Sequence, residues 1–123
     1  MTLSQLGDPR YILLRTFRRT GVAVDTPVWV AAESGRLYVL TSLVTGKAKR
    51  IRNNPEVEVC QCDMRGRPRG EWVPARATLA ASPEAVTAGR ARISRKYGWQ
   101  YKLMHVRRGV RPDETVIEIA DRS

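Results

Sequence analysis

The segment from Thr26 to Val59 constrains the fold of this chain more than any other part of its sequence. It contains two β-prone runs separated by a glycine turn, then a short basic segment, and then a third β-prone run. Short strands joined by Gly and Pro turns are typical of antiparallel sheets, whereas parallel sheets need regularly spaced crossover helices. The segment therefore predicts a small antiparallel β structure with short inserted helices.

The same pattern continues along the chain and predicts a mainly β fold with short helices (α+β), organised as one domain over residues 1–123. We expect six strands in an antiparallel barrel, at residues 11–17, 22–31, 36–41, 57–63, 71–79 and 115–119. We expect helices at residues 46–53, 82–97 and, after a break at Gly98, 99–108.

Two prolines and one turn make this prediction more specific. Proline has no amide donor, so we expect the second strand to bend or break at Pro27 and an edge or bulge at Pro74. A turn at residues 33–35 predicts that the second and third strands form a hairpin.

The charge of the chain points to an anionic partner. A net charge of +10 on 123 residues suits nucleic acid, an acidic membrane surface or a polyanionic small molecule, although a generally basic surface in an arginine-rich sequence would have the same charge. The sequence has no apolar run of the ~20 residues that a membrane span requires and no secretory signal, so we expect a cytoplasmic protein. Cys60 and Cys62 lie two apart on a predicted strand, where they would share a face without bridging, which fits a reducing compartment.

The basic segment has the composition of a phosphate site. A helix start at Gly46 leaves backbone amides open to an anion, and the preceding strand ends in hydroxyl residues. The residues of this predicted pocket are Thr41, Ser42, Thr45, Lys47, Lys49, Arg50 and Arg52. A solvated basic helix is the alternative, but the position directly after a hydroxyl-rich strand end favours a site.

A second candidate site is the run Thr26, Pro27, Val28 and Trp29. A proline inside a strand opens the hydrogen-bond ladder and leaves backbone groups free for a planar ligand. The alternative is a simple edge-strand proline next to a core tryptophan.

The sequence lacks the residues of an acid–base, nucleophilic or metal-dependent enzyme. His105 is the single histidine, so no Ser-His-Asp or Cys-His set can be assembled, and the lone Cys60-x-Cys62 pair has no partner pair for zinc. The cations at 90–102 alternate with Tyr97, Trp99 and Tyr101, which would stack on nucleobases or pack as core beneath snorkelling cations; we favour packing. No groove-reading motif is present, which argues against nucleic acid. If the chain is an enzyme, a cofactor brings the reactivity.

The chain resembles a known family in three runs: YILLRTFRRTGVAVDTPVWV, GRLYVLTS and TGKAKRIRNNPEVEVCQCDMRGRP. They are similar to the split β-barrel flavin and deazaflavin reductases related to pyridoxamine 5′-phosphate oxidase. More narrowly, they resemble the actinobacterial PPOX-class oxidoreductases dependent on coenzyme F-420, the flavin/deazaflavin oxidoreductase B branch. The likeness extends from about residue 8 to 119 and includes the run ARISRKYGWQYKLMHVRR.

The resemblance implies a homodimer with two cofactor sites at the subunit interface. It implies that Lys47 meets the cofactor phosphate with Lys49 and Arg50 beside it, that Thr41 and Ser42 line the same pocket, and that the strand of Thr26, Pro27, Val28 and Trp29 flanks the ring. The implied reaction is hydride transfer between the reduced deazaflavin and an unsaturated small molecule such as an enone, a quinone or a tetrapyrrole.

Several alternatives stay open at this point. Flavin mononucleotide (FMN) would suit the same basic pocket, and a non-catalytic protein that binds a cofactor or nucleic acid would carry similar charge. No catalytic residue, proton donor or metal ligand is assigned from the sequence.

Overall fold

The structure, a computed structural model, describes residues 6, 11–63, 65–101 and 114–122. These residues form seven β-strands and two α-helices. In chain order the elements are β1 (Tyr11–Phe17), β2 (Ala23–Trp29), β3 (Ala31–Glu33), β4 (Arg36–Ser42), α1 (Gly46–Asn53), β5 (Glu56–Gln61), β6 (Val73–Leu79), α2 (Pro83–Tyr97) and β7 (Glu114–Asp121).

All seven strands belong to one antiparallel sheet with the order β2-β1-β5-β6-β7-β4-β3. The two strands at the ends of this order, β2 and β3, are consecutive in the chain and are joined through Val30 alone. The sheet must therefore curl until its two ends approach each other. The predicted antiparallel split barrel with short helices is confirmed.

The predicted number of six strands is wrong, because the predicted second strand is two strands. The division lies at Val30 and not at Pro27, which pairs with Leu13 in the middle of β2. Pro27 is tolerated there because β2 ends the strand order, and a terminal strand needs ladder hydrogen bonds on one side only. Only β3 forms a hairpin with β4, across Ser34 and Gly35, whose φ angles of 54° and 78° suit a tight hairpin turn.

Pro74 also differs from the prediction, because β6 is an inner strand between β5 and β7. Pro74 pairs with Glu58 of β5, whereas the pairing of β6 with β7 begins one residue later, at Ala75. The proline therefore lies just beyond the end of one ladder, where the missing amide costs no hydrogen bond.

The barrel interior is apolar, and each helix covers part of it. Side chains of the curled sheet and Ile51 of α1 form one buried cluster, which includes Ile12, Leu14, Val28, Val30, Leu37, Val39, Val57, Val59, Ile117 and Ile119. Helix α2 packs on β3, β4 and β7 through Ile93 and Tyr97. A helical turn resumes at residues 99–101 after Gly98, and the rest of the predicted 99–108 helix, with His105, lies outside the described residues.

Helix α2 lies close against β7 at Gly89. A Cβ built on Gly89 would lie 2.6 and 2.7 Å from the two methyl carbons of Val116, well inside van der Waals contact. The absence of a side chain at Gly89 therefore lets the helix lie directly on the strand.

We expect Gly89→Ala to lower the free energy of unfolding by about 1–3 kcal/mol, the usual cost of overpacking, although alanine favours helix more than glycine does. Chemical denaturation measures the change. In a Val116→Ala background the two colliding methyls are gone and only the Cβ of residue 116, at 3.1 Å, remains close, so the same Gly89→Ala change should lose most of its penalty. An equal loss in both backgrounds would contradict this close contact.

Candidate functional site

Helix α1 closes one end of the barrel and carries the basic segment. Its buried residues are Ala48 and Ile51, while Lys49 and Arg52 are exposed. The helix begins where the sequence predicts because the Thr45 hydroxyl accepts a hydrogen bond from the Ala48 amide at 3.3 Å. The apolar positions thus fix which of its cations face solvent and which face the barrel end.

The hydroxyl residues before α1 bond to one another. The Thr45 hydroxyl donates to the Ser42 carbonyl oxygen at 2.8 Å and lies 3.1 Å from the Thr41 hydroxyl. Since Thr45 has one hydroxyl proton and uses it on Ser42, Thr41 is the donor of the second bond. The Ser42 hydroxyl accepts from the Val44 amide at 3.4 Å. These groups set the turn from β4 into α1 and thereby place the first residues of the helix.

Arg50 folds back along α1 toward the start of the helix. Its Nε donates to the Thr16 hydroxyl of β1 at 2.6 Å, and its Nη1 lies 2.6 Å from the place that a Cβ of Gly46 would occupy. The β1–β2 turn is also close, since the Arg19 guanidinium donates to the Asn53 side-chain oxygen at 3.3 Å. The structure therefore gathers cations from α1 and from the β1–β2 turn at one end of the barrel.

Burial and a neighbouring cation lower the pKa of both Lys47 and Arg50. Burial, with a smaller contribution from Arg50, lowers the pKa of Lys47 below its usual value. Burial, with a smaller contribution from Arg18, lowers the pKa of Arg50. Arg50 therefore makes the charge of Lys47 less favourable, and Arg18 does the same to Arg50.

Lys47 and Arg50 differ from the other half-buried basic residues of the described chain in that they form no salt bridge. Arg15 pairs with Asp25 at 2.8 Å, Arg90 with Glu114 at 2.7 Å, and Arg92 with Glu33. No salt bridge of the described residues involves Lys47 or Arg50. Desolvated cations without a carboxylate are costly, and an anionic ligand would offset that cost.

The remaining predicted phosphate residues are in more exposed positions. Lys49 is exposed, and exposed Arg52 donates to the Leu43 carbonyl oxygen at 3.3 Å. The structure thus brings Lys47 and Arg50 near each other, places Thr41 and Ser42 in the strand end and turn that lead into α1, and leaves Lys49 on the solvent side of the helix.

The second predicted group lies on β2, away from the α1 cations. Pro27 is exposed, Val28 belongs to the core, and the Trp29 ring stacks on Tyr97 with centroids 4.3 Å apart and planes inclined by 7°. Thr16, which holds Arg50, pairs with Val24. At about 3.3 Å per residue, Thr26 lies roughly 7 Å and Trp29 roughly 17 Å further along β2.

The two sides of β2 differ in their neighbours. Because β2 ends the strand order, no strand in the described ranges pairs with the side of β2 that faces away from β1. A ligand that reached both groups would have to extend from the α1 cations along this edge.

Sequence reasoning missed Arg18 and Thr16 as parts of the site. Arg18 lies between the strands predicted at 11–17 and 22–31, and Thr16 is one position of the first of them. The alternation of β1 is a signal that could have identified Thr16, since it places a polar side chain among inward-facing residues.

The basic and aromatic residues of α2 serve the fold. Arg92 pairs with Glu33 and lies over the Tyr38 ring at 4.2 Å, while Tyr97 and Tyr101 are buried. These contacts confirm the predicted packing of aromatics beneath snorkelling cations, except at Trp99, which is 71% exposed.

Cys60 and Cys62 are free and buried on one face of the sheet beside Leu13, as the strand spacing predicts. Burial is the main cause of the raised pKa of the Cys62 thiol. Among the residues that the structure describes, no group of three or more His, Cys, Asp or Glu side chains is arranged to hold a metal ion.

None of the described helices combines the length and the apolar character that crossing a membrane demands.

No protein-family model matches this chain, and no curated protein matches it in sequence. Solved structures do match in fold. A candidate pyridoxamine 5′-phosphate oxidase from Listeria innocua has a TM-score of 0.69 at 16% identity, over 96% of this chain and 88% of that one. A protein named F420 reductase has a TM-score of 0.64 at 19% identity, over 99% and 94%. HutZ, the haem storage protein from Vibrio cholerae, has a TM-score of 0.72 at 13% identity, over 100% and 92%. At these identities the likeness establishes the split-barrel fold that this chain shares with pyridoxamine 5′-phosphate oxidase-like proteins.

The Thr45 cap gives a direct test of how α1 is held. We expect Thr45→Ala to lower the free energy of unfolding by about 1 kcal/mol, because the Ala48 amide loses its acceptor. Thr45→Ser keeps an acceptor at the same place and should retain most of the stability. Equal losses for the two variants in urea denaturation would contradict the capping role.

Proposed function

We propose that this chain is a cytoplasmic oxidoreductase that uses coenzyme F-420 and acts on an unsaturated small molecule. The observation that carries the proposal is the pair of half-buried cations Lys47 and Arg50, with no carboxylate partner among the described residues, on a split-barrel fold. One solved protein of this fold is named F420 reductase. FMN is the second candidate, because its phosphate suits the same cations and another protein of this fold is a candidate pyridoxamine 5′-phosphate oxidase.

The residues at the barrel end fit the phosphate of such a cofactor. Lys47 and Arg50 would supply opposite charge, with Arg18 nearby, and the amides at the start of α1 would add donors at the positive end of the helix dipole. The Thr45 hydroxyl already satisfies the Ala48 amide, which leaves the earlier amides of the helix for a ligand.

The open edge of β2 would orient the ring. Backbone groups near Thr26 and Pro27 on the side away from β1 would meet the carbonyl and N–H edges of the ring, and exposed Pro27 leaves space for a flat molecule. The stacked Trp29 and Tyr97 hold this part of the strand in place. When bound, the deazaflavin would supply or accept hydride. The protein would contribute position, which is a large part of the rate enhancement in such reactions.

We also propose a homodimer with the cofactor sites at the subunit interface. Among the described residues, β1 is the one strand that pairs with β2, so a second copy would supply a wall beyond the outer edge of β2 and part of the substrate pocket. Two features support this arrangement: the unpaired strand edge of β2 and the exposed Pro27.

Titration of the purified protein with F-420 and with FMN tests the proposal directly. We expect Lys47→Ala to weaken cofactor binding by roughly 1.5–3 kcal/mol, or about 10- to 150-fold in Kd, because a charge-assisted contact is lost. Lys49→Ala, on the solvent side of the same helix, is the matched control and should change the Kd far less. The proposal is wrong if neither cofactor binds, and the assigned phosphate site is wrong if the two variants behave alike.

The pH dependence of binding gives a second test of Lys47. Its pKa is already lowered in the free protein, and a bound phosphate would raise it, so binding stabilises the protonated amine. Affinity should be full below the free-protein pKa of Lys47, and the contribution of Lys47 should be lost as the pH rises from that value through the higher pKa of the complex. Arginine stays protonated at those pH values, so Lys47→Arg should remove the alkaline loss. A wild-type Kd that stays constant into the alkaline range would show that Lys47 makes no such contact.

A further inference from the structure

Arg50 differs from the other half-buried arginines that the structure describes in the kind of group that bonds to it. Arg15, Arg90 and Arg92 are each held by a carboxylate. The Nε of Arg50 instead donates to the neutral hydroxyl of Thr16, at 2.6 Å. A carboxylate that positions an arginine also neutralises its charge. A hydroxyl positions the arginine without neutralising it, so the charge remains available to an anionic ligand.

The environment of Thr16 fixes the direction of this contact. Thr16 is 1% exposed, and its hydroxyl is also 3.5 Å from the Val24 carbonyl oxygen on β2. A carbonyl oxygen can only accept, so the hydroxyl proton points toward Val24 and the oxygen presents its lone pairs to Arg50. Arg50 is thereby hydrogen-bonded through Nε, and its two terminal nitrogens remain for other contacts.

Gly46 provides the space in which those terminal nitrogens lie. A Cβ on residue 46 would come within 2.6 Å of Nη1, 3.4 Å of Cζ and 3.5 Å of Nη2 of Arg50. The atoms in conflict belong to the far end of a flexible side chain. Any side chain at this position would therefore displace the guanidinium while α1 stays intact.

We propose that Thr16 and Gly46 are positioning residues for Arg50: Thr16 ties the guanidinium through Nε without neutralising it, and Gly46 leaves the gap in which it meets the ligand phosphate. The inference rests on the proposed function, since it assumes that a phosphorylated cofactor binds beside Arg50. It adds two positions, the Thr16 hydroxyl on β1 and the vacant Cβ place of Gly46 on α1, that would act on the ligand through Arg50.

The test compares each ligand with a counterpart that lacks the phosphate or the tail that carries it. Wild type and variants are titrated with FMN and riboflavin, and with F-420 and the same deazaflavin lacking its phosphate-bearing tail. The quantity of interest is the phosphate preference, which is the Kd of the phosphate-free ligand divided by that of its phosphorylated partner. A change in folding alone would weaken both members of a pair and leave this ratio unaltered.

We expect Thr16→Val and Gly46→Ala each to lower the phosphate preference by about tenfold or more, as for loss of one charge-assisted contact. Thr16→Ser keeps the hydroxyl and should retain the wild-type ratio. Gly70→Ala is the matched glycine control, because the nearest atom to its new Cβ is the Gln61 Cβ at 4.0 Å. Gly46→Ala should also melt no lower than wild type, because alanine favours helix.

The outcomes separate the inference from the function on which it rests. A wild type that prefers phosphorylated ligands, with Thr16→Val and Gly46→Ala variants that keep this preference, overturns the inference alone. The same holds if the two variants weaken both ligands of a pair equally. A wild type with no phosphate preference, or with no binding of either pair, overturns the proposed function and the inference with it.

Discussion

The connection through Val30 is the constraint on which the rest of this structure depends. A single residue joins the two terminal strands of the sheet, so the sheet has to curl into a barrel. At that residue the backbone leaves one ladder and has not yet entered the next, yet Val30 is fully buried. Buried backbone groups must find partners, and these come from α2: the Val30 amide donates to the Tyr97 hydroxyl at 2.9 Å, and the Val30 carbonyl accepts from Tyr97 at 3.0 Å and from Lys96 Nζ at 2.6 Å. Helix α2 thus secures the point at which the barrel turns from β2 into β3.

The local and the long-range parts of the fold differ in how well the sequence predicts them. Helix α1 follows from nearby residues, because Thr45 caps its start and the chain after Asn53 turns through Asn54 and Pro55 into β5. The strand regions likewise follow from β-prone runs between turns. The break at Val30 could not be predicted, since Tyr97 lies 67 residues further along the chain and its contact with Val30 leaves no local signal. The sequence predicts the break at Pro27 because a proline is a local cause of strand breaks. In the structure the strand continues through Pro27, because β2 is a terminal strand of the sheet.

The candidate site shows the same division. The cations of α1 and the hydroxyls of Thr41 and Ser42 are neighbours in sequence, so their grouping could be predicted. The contribution of Thr16 and Arg18 depends on how the β1–β2 turn meets α1, which only the folded chain specifies. Sequence also could not reveal that the hydroxyls of Thr41 and Thr45 bond to each other, which makes them supports of the α1 start.

Net charge by itself does not locate a binding site in this protein. Many of its cations are committed to the fold: Arg67 and Arg69 surround Asp63, where the Arg67 amide and side chain hold the pKa of that carboxyl well below its usual range, and Arg15 lies between Asp25 and Glu58. Exposed cations are solvated by water and need no partner. Lys47 and Arg50 fall in neither group, because burial has removed part of their hydration while the described carboxylates pair elsewhere. The protein can tolerate this desolvation cost because the barrel closure and the apolar core supply its stability. An anionic ligand would then offset the cost on binding. The argument for an anion at this end of the barrel therefore comes from where charge is left uncompensated, and the formal charge of +10 only makes such a place possible.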